Sequence, residues 1–229
     1  MGGSDRKLRI ALGQFNPTVG DINGNCAIAL EALSDAEQQG ADLLVLSELF
    51  VTGYPPEDLV LKPAFAEASR RAVEALAERI GEGRPGLIIG AVWPEDGKLY
   101  NSVVLIDEGR IAAVRHKVDL PNYGVFDEKR IFDPGPLPGP INFRGVRLGV
   151  PICEDIWGDE VVECLAESGA ELMLVPNGSP FDWSKPDVRM NVAVARVKES
   201  DLPLAYVNQL GGQDELVFDG GSFVLNSDA

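Results

Sequence analysis

The chain has 229 residues, 45% of them hydrophobic, with 20 Lys and Arg against 36 Asp and Glu and a net charge of −16. That length buries a full core, expected here as a single domain; the charge repels nucleic acid and anionic membrane surfaces, so neither is an expected partner. Three cysteines, Cys26, Cys153 and Cys164, an odd number without paired spacing, indicate no disulfide framework and no cysteine-based zinc site, and fit a reducing cytoplasm.

The segment Met1–Arg9 has no long apolar stretch, and Arg6 stands where a myristoylation motif needs Ser or Thr, so neither signal is expected. Leu8–Gln14 reads as a first strand, and after Asn16 and Pro17 a helical pattern runs from about Asn25 to Gln39 and closes at Gly40. Asp42–Ser47 is a continuous apolar strand of the kind buried on both faces, with Glu48 directly at its C-terminal end. A loop holding Gly53, Tyr54, Pro55 and Pro56 leads to a helix over about Ala64–Ile80, where alanines and leucines alternate with Glu and Arg at helical spacing. Strands follow at Leu87–Trp93, Tyr100–Ile106 and Arg110–His116, the last two forming a hairpin across Asp107, Glu108 and Gly109. The stretch Asp119–Pro140 carries five prolines and three glycines and reads as a long ordered loop, a class of segment that often carries function. Beyond it come a strand over Arg147–Cys153, a helix, a strand within Gly169–Asn177, a helix over about Asp187–Glu199, a strand at Leu204–Asn208 and a β region from Glu215 to Leu225.

The two halves echo each other. Gly40-Ala41-Asp42-Leu43-Leu44-Val45-Leu46 is mirrored by Gly169-Ala170-Glu171-Leu172-Met173-Leu174-Val175, each the second strand of a strand–helix–strand unit. A right-handed crossover makes the two strands of each unit parallel, so their carboxyl ends share the edge where α/β sheets bind ligands. The echo predicts two similar sheets packed together with helices outside, and Glu48, Cys153 and Asn177 converging.

Cys153 ends an apolar β-type run and is followed by Glu154, Asp155 and Trp157, which read as the start of a helix whose dipole favours a thiolate. A buried small apolar residue is the alternative reading of any cysteine. A thiol nucleophile needs a base; the one histidine, His116, lies at a strand end with little to mark it, so a Cys-His pair is open but unsupported. A carboxylate base with a cationic oxyanion stabiliser is the other arrangement, with Glu48 beside a buried strand and Lys117 just before the long loop as its members.

In three ordered motifs the chain resembles the nitrilase superfamily of carbon–nitrogen hydrolases. Ser47-Glu48-Leu49-Phe50-Val51-Thr52-Gly53-Tyr54 is similar to the family's glutamate motif, His116-Lys117-Val118-Asp119-Leu120-Pro121-Asn122-Tyr123 to its lysine motif and Pro151-Ile152-Cys153-Glu154-Asp155 to its cysteine motif. Gly53-Tyr54-Pro55-Pro56-Glu57-Asp58-Leu59, the loop from Pro121 to Arg130 and the run from Asn208 to Ser222 further resemble the glutaminase domains of glutamine-dependent NAD synthetases.

The resemblance implies an α/β fold, a four-layer α-β-β-α sandwich of the nitrilase type. It implies Glu48 as general base, Lys117 as oxyanion stabiliser and Cys153 as nucleophile, acting on L-glutamine, and carries Tyr123, Ser179 and Lys185 over as glutamine-binding residues. Glutamine's α-carboxylate calls for a cation, which Lys185 can supply; its ammonium calls for an acid, Glu154 or Glu128, each equally readable as a surface acid. Ser179 reads equally as a turn residue after Asn177 and Gly178. No metal or cofactor is expected for the hydrolysis; ATP and Mg would belong to a synthetase domain, whose Ser-Gly-Gly-x-Asp-Ser motif does not occur within these residues. The chain is thus expected to be a glutaminase domain shortened at its C-terminus, cytoplasmic and homo-oligomeric. A stand-alone amidase and a catalytically silent interaction domain are the rival expectations.

Overall fold

The computed structural model describes residues 7–182 and 185–228, of which residues 185–187 are described by their backbone alone. The first unit is β1 (Ile10–Leu12), α1 (Ile22–Gln38) and β2 (Leu43–Val45). α1 starts earlier than its apolar periodicity suggests because Asp21 caps it, its carboxylate accepting from Gly24 N–H at 2.9 Å. α2 (Pro63–Ile80) opens on a proline in its first turn and stops at Gly81, whose φ of 67° suits the left-handed end of a helix.

β3 (Gly86–Glu95), β4 (Lys98–Asp107) and β5 (Arg110–His116) form an antiparallel meander. The β3–β4 hairpin turns on Asp96 and Gly97, with φ of 49° and 77°, which is why β3 runs past Trp93. A second unforeseen hairpin joins β6 (Ile141–Phe143) to β7 (Val146–Gly149) through Arg144 and Gly145. Then follow α3 (Glu160–Glu167), β8 (Leu172–Asn177), α4 (Lys185–Ser200), β9 (Leu204–Asn208), a small hairpin of β10 (Leu210–Gln213) and β11 (Leu216–Asp219), and β12 (Phe223–Leu225).

Among the described residues, one five-stranded sheet has the order β1-β2-β3-β4-β5 and the other β12-β9-β8-β7-β6. The echo between the halves holds: β1 pairs parallel with β2, Ile10 opposite Leu43, and β7 pairs parallel with β8, Leu148 opposite Leu172. Leu43, Val45, Ile88, Val103 and Leu105 of the first sheet interdigitate with Phe143, Leu148, Leu174, Ala205 and Val207 of the second to form the inter-sheet core. Leu33 of α1 and Leu76 of α2 cover the outer face of the first sheet, and Leu165 of α3 and Val197 of α4 that of the second. The result is the expected α-β-β-α sandwich, with each fully buried Leu, Ile or Val contributing about 1.5–3 kcal/mol. Because β2 and β8 belong to opposite sheets yet end at the same rim, their carboxyl ends face each other across the sandwich.

Candidate active site

Glu48 lies just past β2 in a tight turn whose Leu49 has a φ of 46°. The turn lies flat on β3 because Gly90 is there: a Cβ at that position would come within 2.2 Å of Leu49 N and 2.5 Å of Ser47 O. This approach buries Glu48 completely. Its Oε1 accepts from Lys117 Nζ at 2.7 Å and Asn101 Nδ2 at 2.8 Å, and its Oε2 from Gly178 N–H at 2.8 Å. Gly178 immediately follows β8, so one carboxylate joins groups from both sheets.

Lys117 follows β5 directly, its backbone held by Asn101 O and Gly135 N at 2.8 Å each. Strand alternation turns Asn101 and Lys117 toward Glu48 while Tyr100, Ser102 and His116 face the other way. The Lys117 ammonium is fully buried and donates also to Glu128, at 3.0 and 2.9 Å from its two oxygens. Glu128 is itself buried, accepting from Tyr54 Oη at 2.9 Å. Sequence reading placed Glu128 either on the surface or against a substrate ammonium; the structure places it beside Lys117 instead. Burial pulls the ammonium toward neutrality, but Glu128 and Glu48 outweigh it and hold Lys117 well above the ordinary lysine range. Burial pushes the Glu128 carboxyl up, against the pull of Lys117.

Cys153 sits where β7 has already ended. Val150–Ile152 run on outside the ladder, and Cys153, with a φ of 46°, opens a single 3-10 turn, Cys153–Ile156. A strand reaching Cys153 and a helix dipole acting on it are therefore both corrected. Cys153 as a residue is 5% exposed. Burial and the Glu48 carboxylate push it well above the usual thiol range, with Lys117 pulling the other way, so at rest it is a protonated thiol. It requires a base, and Glu48 is close enough to act on its charge.

His116 is not that base. Its ring stacks on Tyr100 at 4.0 Å between centroids, its Nδ1 meets Ser102 Oγ at 2.7 Å and its Nε2 meets Glu95 at 3.1 Å, all on the far side of the strand from Lys117.

The cysteine turn and the loop after Lys117 border a cleft of about 740 Å³ lined by Tyr123, Glu154, Trp157, Lys129 and Asp119 among others. Tyr123 is half exposed, and its hydroxyl donates to both Glu154 oxygens at 2.9 Å. Burial pushes the Glu154 carboxyl up. Ser179 is buried, its hydroxyl accepting from Arg189 Nε at 3.2 Å and its carbonyl from Arg189 Nη2 at 2.9 Å. Of the two readings of Ser179, the structure shows the turn residue, one position from the Gly178 N–H that holds Glu48. Lys185 opens α4, and its side chain lies outside the described residues. Asn177 reaches the rim but turns its amide back to Val175 and Val207. Sequence reading missed Asn101, Gly178 and Arg189; the inward alternation of β4 was the signal available for Asn101. Among the described residues, no helix is long and apolar enough to cross a membrane.

Fold and site together define a class: an α-β-β-α sandwich carrying a buried glutamate, lysine and cysteine where its two sheets meet. The family profile described as carbon-nitrogen hydrolase matches residues 9–229, and the chain belongs to that family. It is 47% identical over 222 residues to the glutamine-dependent NAD(+) synthetase of Rhodobacter capsulatus, covering 97% of this chain and 40% of that protein. The namesake from Thermotoga maritima is 40% identical over 224 residues, covering 97% of this chain and 39% of its own length. Among solved structures, the glutamine-dependent NAD+ synthetase of Acinetobacter baumannii superposes with a TM-score of 0.91 at 40% identity, covering 96% of this chain and 42% of that one. An amidase from Nesterenkonia sp. AN1, seen with acrylamide added to its active-site cysteine, superposes with a TM-score of 0.83 at 32% identity, over 96% of this chain and 86% of its own. The chain thus spans about two-fifths of the length of the curated relatives it matches.

Proposed function

We propose that the chain hydrolyses the side-chain amide of L-glutamine through a thioester on Cys153. The observation that carries this reading is the closed Glu48–Lys117–Glu128 cluster at the sheet ends where the buried thiol of Cys153 also lies. Glu48 takes the thiol proton as sulfur attacks the amide carbon. Lys117 and the backbone N–H of Glu154 stabilise the tetrahedral oxyanion. The proton on Glu48 passes to the departing nitrogen, and ammonia leaves. Glu48 then removes a proton from water, which attacks the thioester; glutamate departs and sulfur recovers its proton. No metal or organic cofactor enters this cycle.

In this reading Glu154 and Tyr123 receive the substrate's α-ammonium, and Lys185 and Ser179 its α-carboxylate. The ammonia is consumed in a synthetase domain that uses ATP and Mg to convert deamido-NAD to NAD, which is what similarity to the first two-fifths of NAD(+) synthetases supports. The working protein is a cytoplasmic homo-oligomer, which light scattering of the purified protein tests. Cys153→Ala is expected to abolish ammonia release from glutamine, and a glutamine-derived electrophile to label wild type at Cys153 in mass spectrometry. Absence of that label from a folded wild-type protein sinks the reading. Glu48→Gln should likewise stop turnover while leaving the fold intact, and near-normal turnover would remove Glu48 from the mechanism.

A second reading is favoured by the match to an amidase over 86% of that protein's length. There the same chemistry acts on another small amide. Turnover of short aliphatic amides with none of glutamine would select it.

A further inference from the structure

Asp155 is 1% exposed, two residues past the nucleophile, and the mechanism above does not use it. Its Oδ2 accepts from Ile152 N–H at 2.9 Å, which on its own is a local cap of the 3-10 turn. Its Oδ1 does something a cap does not. It accepts from Val118 N–H at 3.0 Å and Asp119 N–H at 2.8 Å, in a segment 37 and 36 residues away. Val118 adjoins Lys117, and Ile152 adjoins Cys153.

We propose that Asp155 is a positioning residue that fixes the oxyanion-stabilising Lys117 relative to the nucleophile Cys153 by gripping the backbone beside each. The proposal rests on the reading that those two side chains act together. Three features of the site call for such a grip. Cys153 holds a left-handed backbone conformation that its own side chain disfavours, so its turn needs outside restraint. The segment after Lys117 is irregular, without a sheet ladder to set its place. Finally, the three N–H groups come from two directions, which only an acceptor with two oxygens satisfies. Asparagine offers one acceptor and one donor, so it can keep the lysine side of the grip only by setting an NH2 against the Ile152 N–H. Burial pushes the Asp155 carboxyl up to about 7 against the three N–H donors that pull it down.

The test is Asp155→Asn in the purified full chain, with Val73→Ala as a control that removes core volume under α2, far from the site. Three quantities are read: the melting temperature, the pH profile of Cys153 alkylation by iodoacetamide followed by mass spectrometry, and kcat and KM for glutamine. With the grip lost, Lys117 no longer supports the thiolate, so the alkylation profile should move to higher pH and the rate at neutral pH fall about tenfold. A misplaced oxyanion stabiliser should lower kcat about 100-fold while KM stays within about threefold. Val73→Ala should lower the melting temperature and move neither. An Asp155→Asn protein that melts lower but keeps the wild-type alkylation profile and kcat overturns the proposal. Should that variant not fold, Asp155→Glu, which keeps the charge one methylene further out, is read by the same outcomes. A moved alkylation profile in a chain that never turns over glutamine would support the grip and reject the glutamine reading.

Discussion

Lys117 holds a full charge where water does not reach, facing two carboxylates. Replacing it by methionine, Lys117→Met, leaves Glu48 and Glu128 buried without their cation. Removing one member of such a cluster costs about 3–5 kcal/mol, which denaturant unfolding should register, together with loss of turnover. His116 gives a second residue-level prediction. Burial depresses its pKa below 6.5, with Glu95 opposing, so between that folded value and 6.5 the unfolded chain binds a proton that the folded chain refuses. Its contribution to stability is therefore full above pH 6.5 and is lost as pH falls through the depressed folded pKa. Unfolding free energies measured from pH 7.5 to 4.5 should show this fall in wild type and less of it in His116→Gln.

Two glycines and two turns decide where the charged groups of these elements stand. Gly90 in the middle of β3 admits the Glu48 turn, and Gly178 beyond β8 admits the Tyr54 ring, 2.7 Å from where a Cβ would lie. Gly90→Ala meets backbone atoms that cannot swing aside, so it should destabilise the fold by about 1–3 kcal/mol and reduce kcat more than tenfold by displacing Glu48. The elements themselves were largely legible. β5 and β9 have the limits their patterns predict, β5 starting after the Glu108-Gly109 turn and β9 directly after Pro203. β7 falls short of its apolar run because Val150–Ile152 are buried by packing and not by ladder hydrogen bonds, a difference that hydropathy does not carry. Glu48, Lys117 and Cys153 were singled out as candidates by their motifs, and the structure gathers Glu48 and Lys117 into one buried cluster. The contacts of Glu128 and Asn101 were not legible, because their partners lie 11 to 74 residues away and only the inward alternation of β4 hints at Asn101.

At the scale of the molecule, the proposed base, Glu48, stands at the end of one sheet and the proposed nucleophile, Cys153, at the end of the other, so the inter-sheet core sets their separation. The echo between the halves foretold this convergence, because parallel strand–helix–strand units end at a common rim. Ile88→Ala, which opens a cavity between the sheets, should cost about 2–5 kcal/mol and also lower kcat, whereas Val73→Ala in the outer layer should affect stability alone. Unfolding curves and initial rates on the two variants check it.

A thiol that stays protonated and covered until a substrate arrives also has a consequence for survival under oxidants. Peroxide attacks thiolates, and exposed ones fastest. With Cys153 only 5% exposed and held in its neutral form by its surroundings, the resting site should resist conversion to sulfenic acid at peroxide levels that inactivate enzymes with an open, preformed thiolate. The same arrangement that, in the proposed mechanism, calls on Glu48 for attack thus protects the sulfur between turnovers, and the vulnerable interval is confined to the moment after the proton has left.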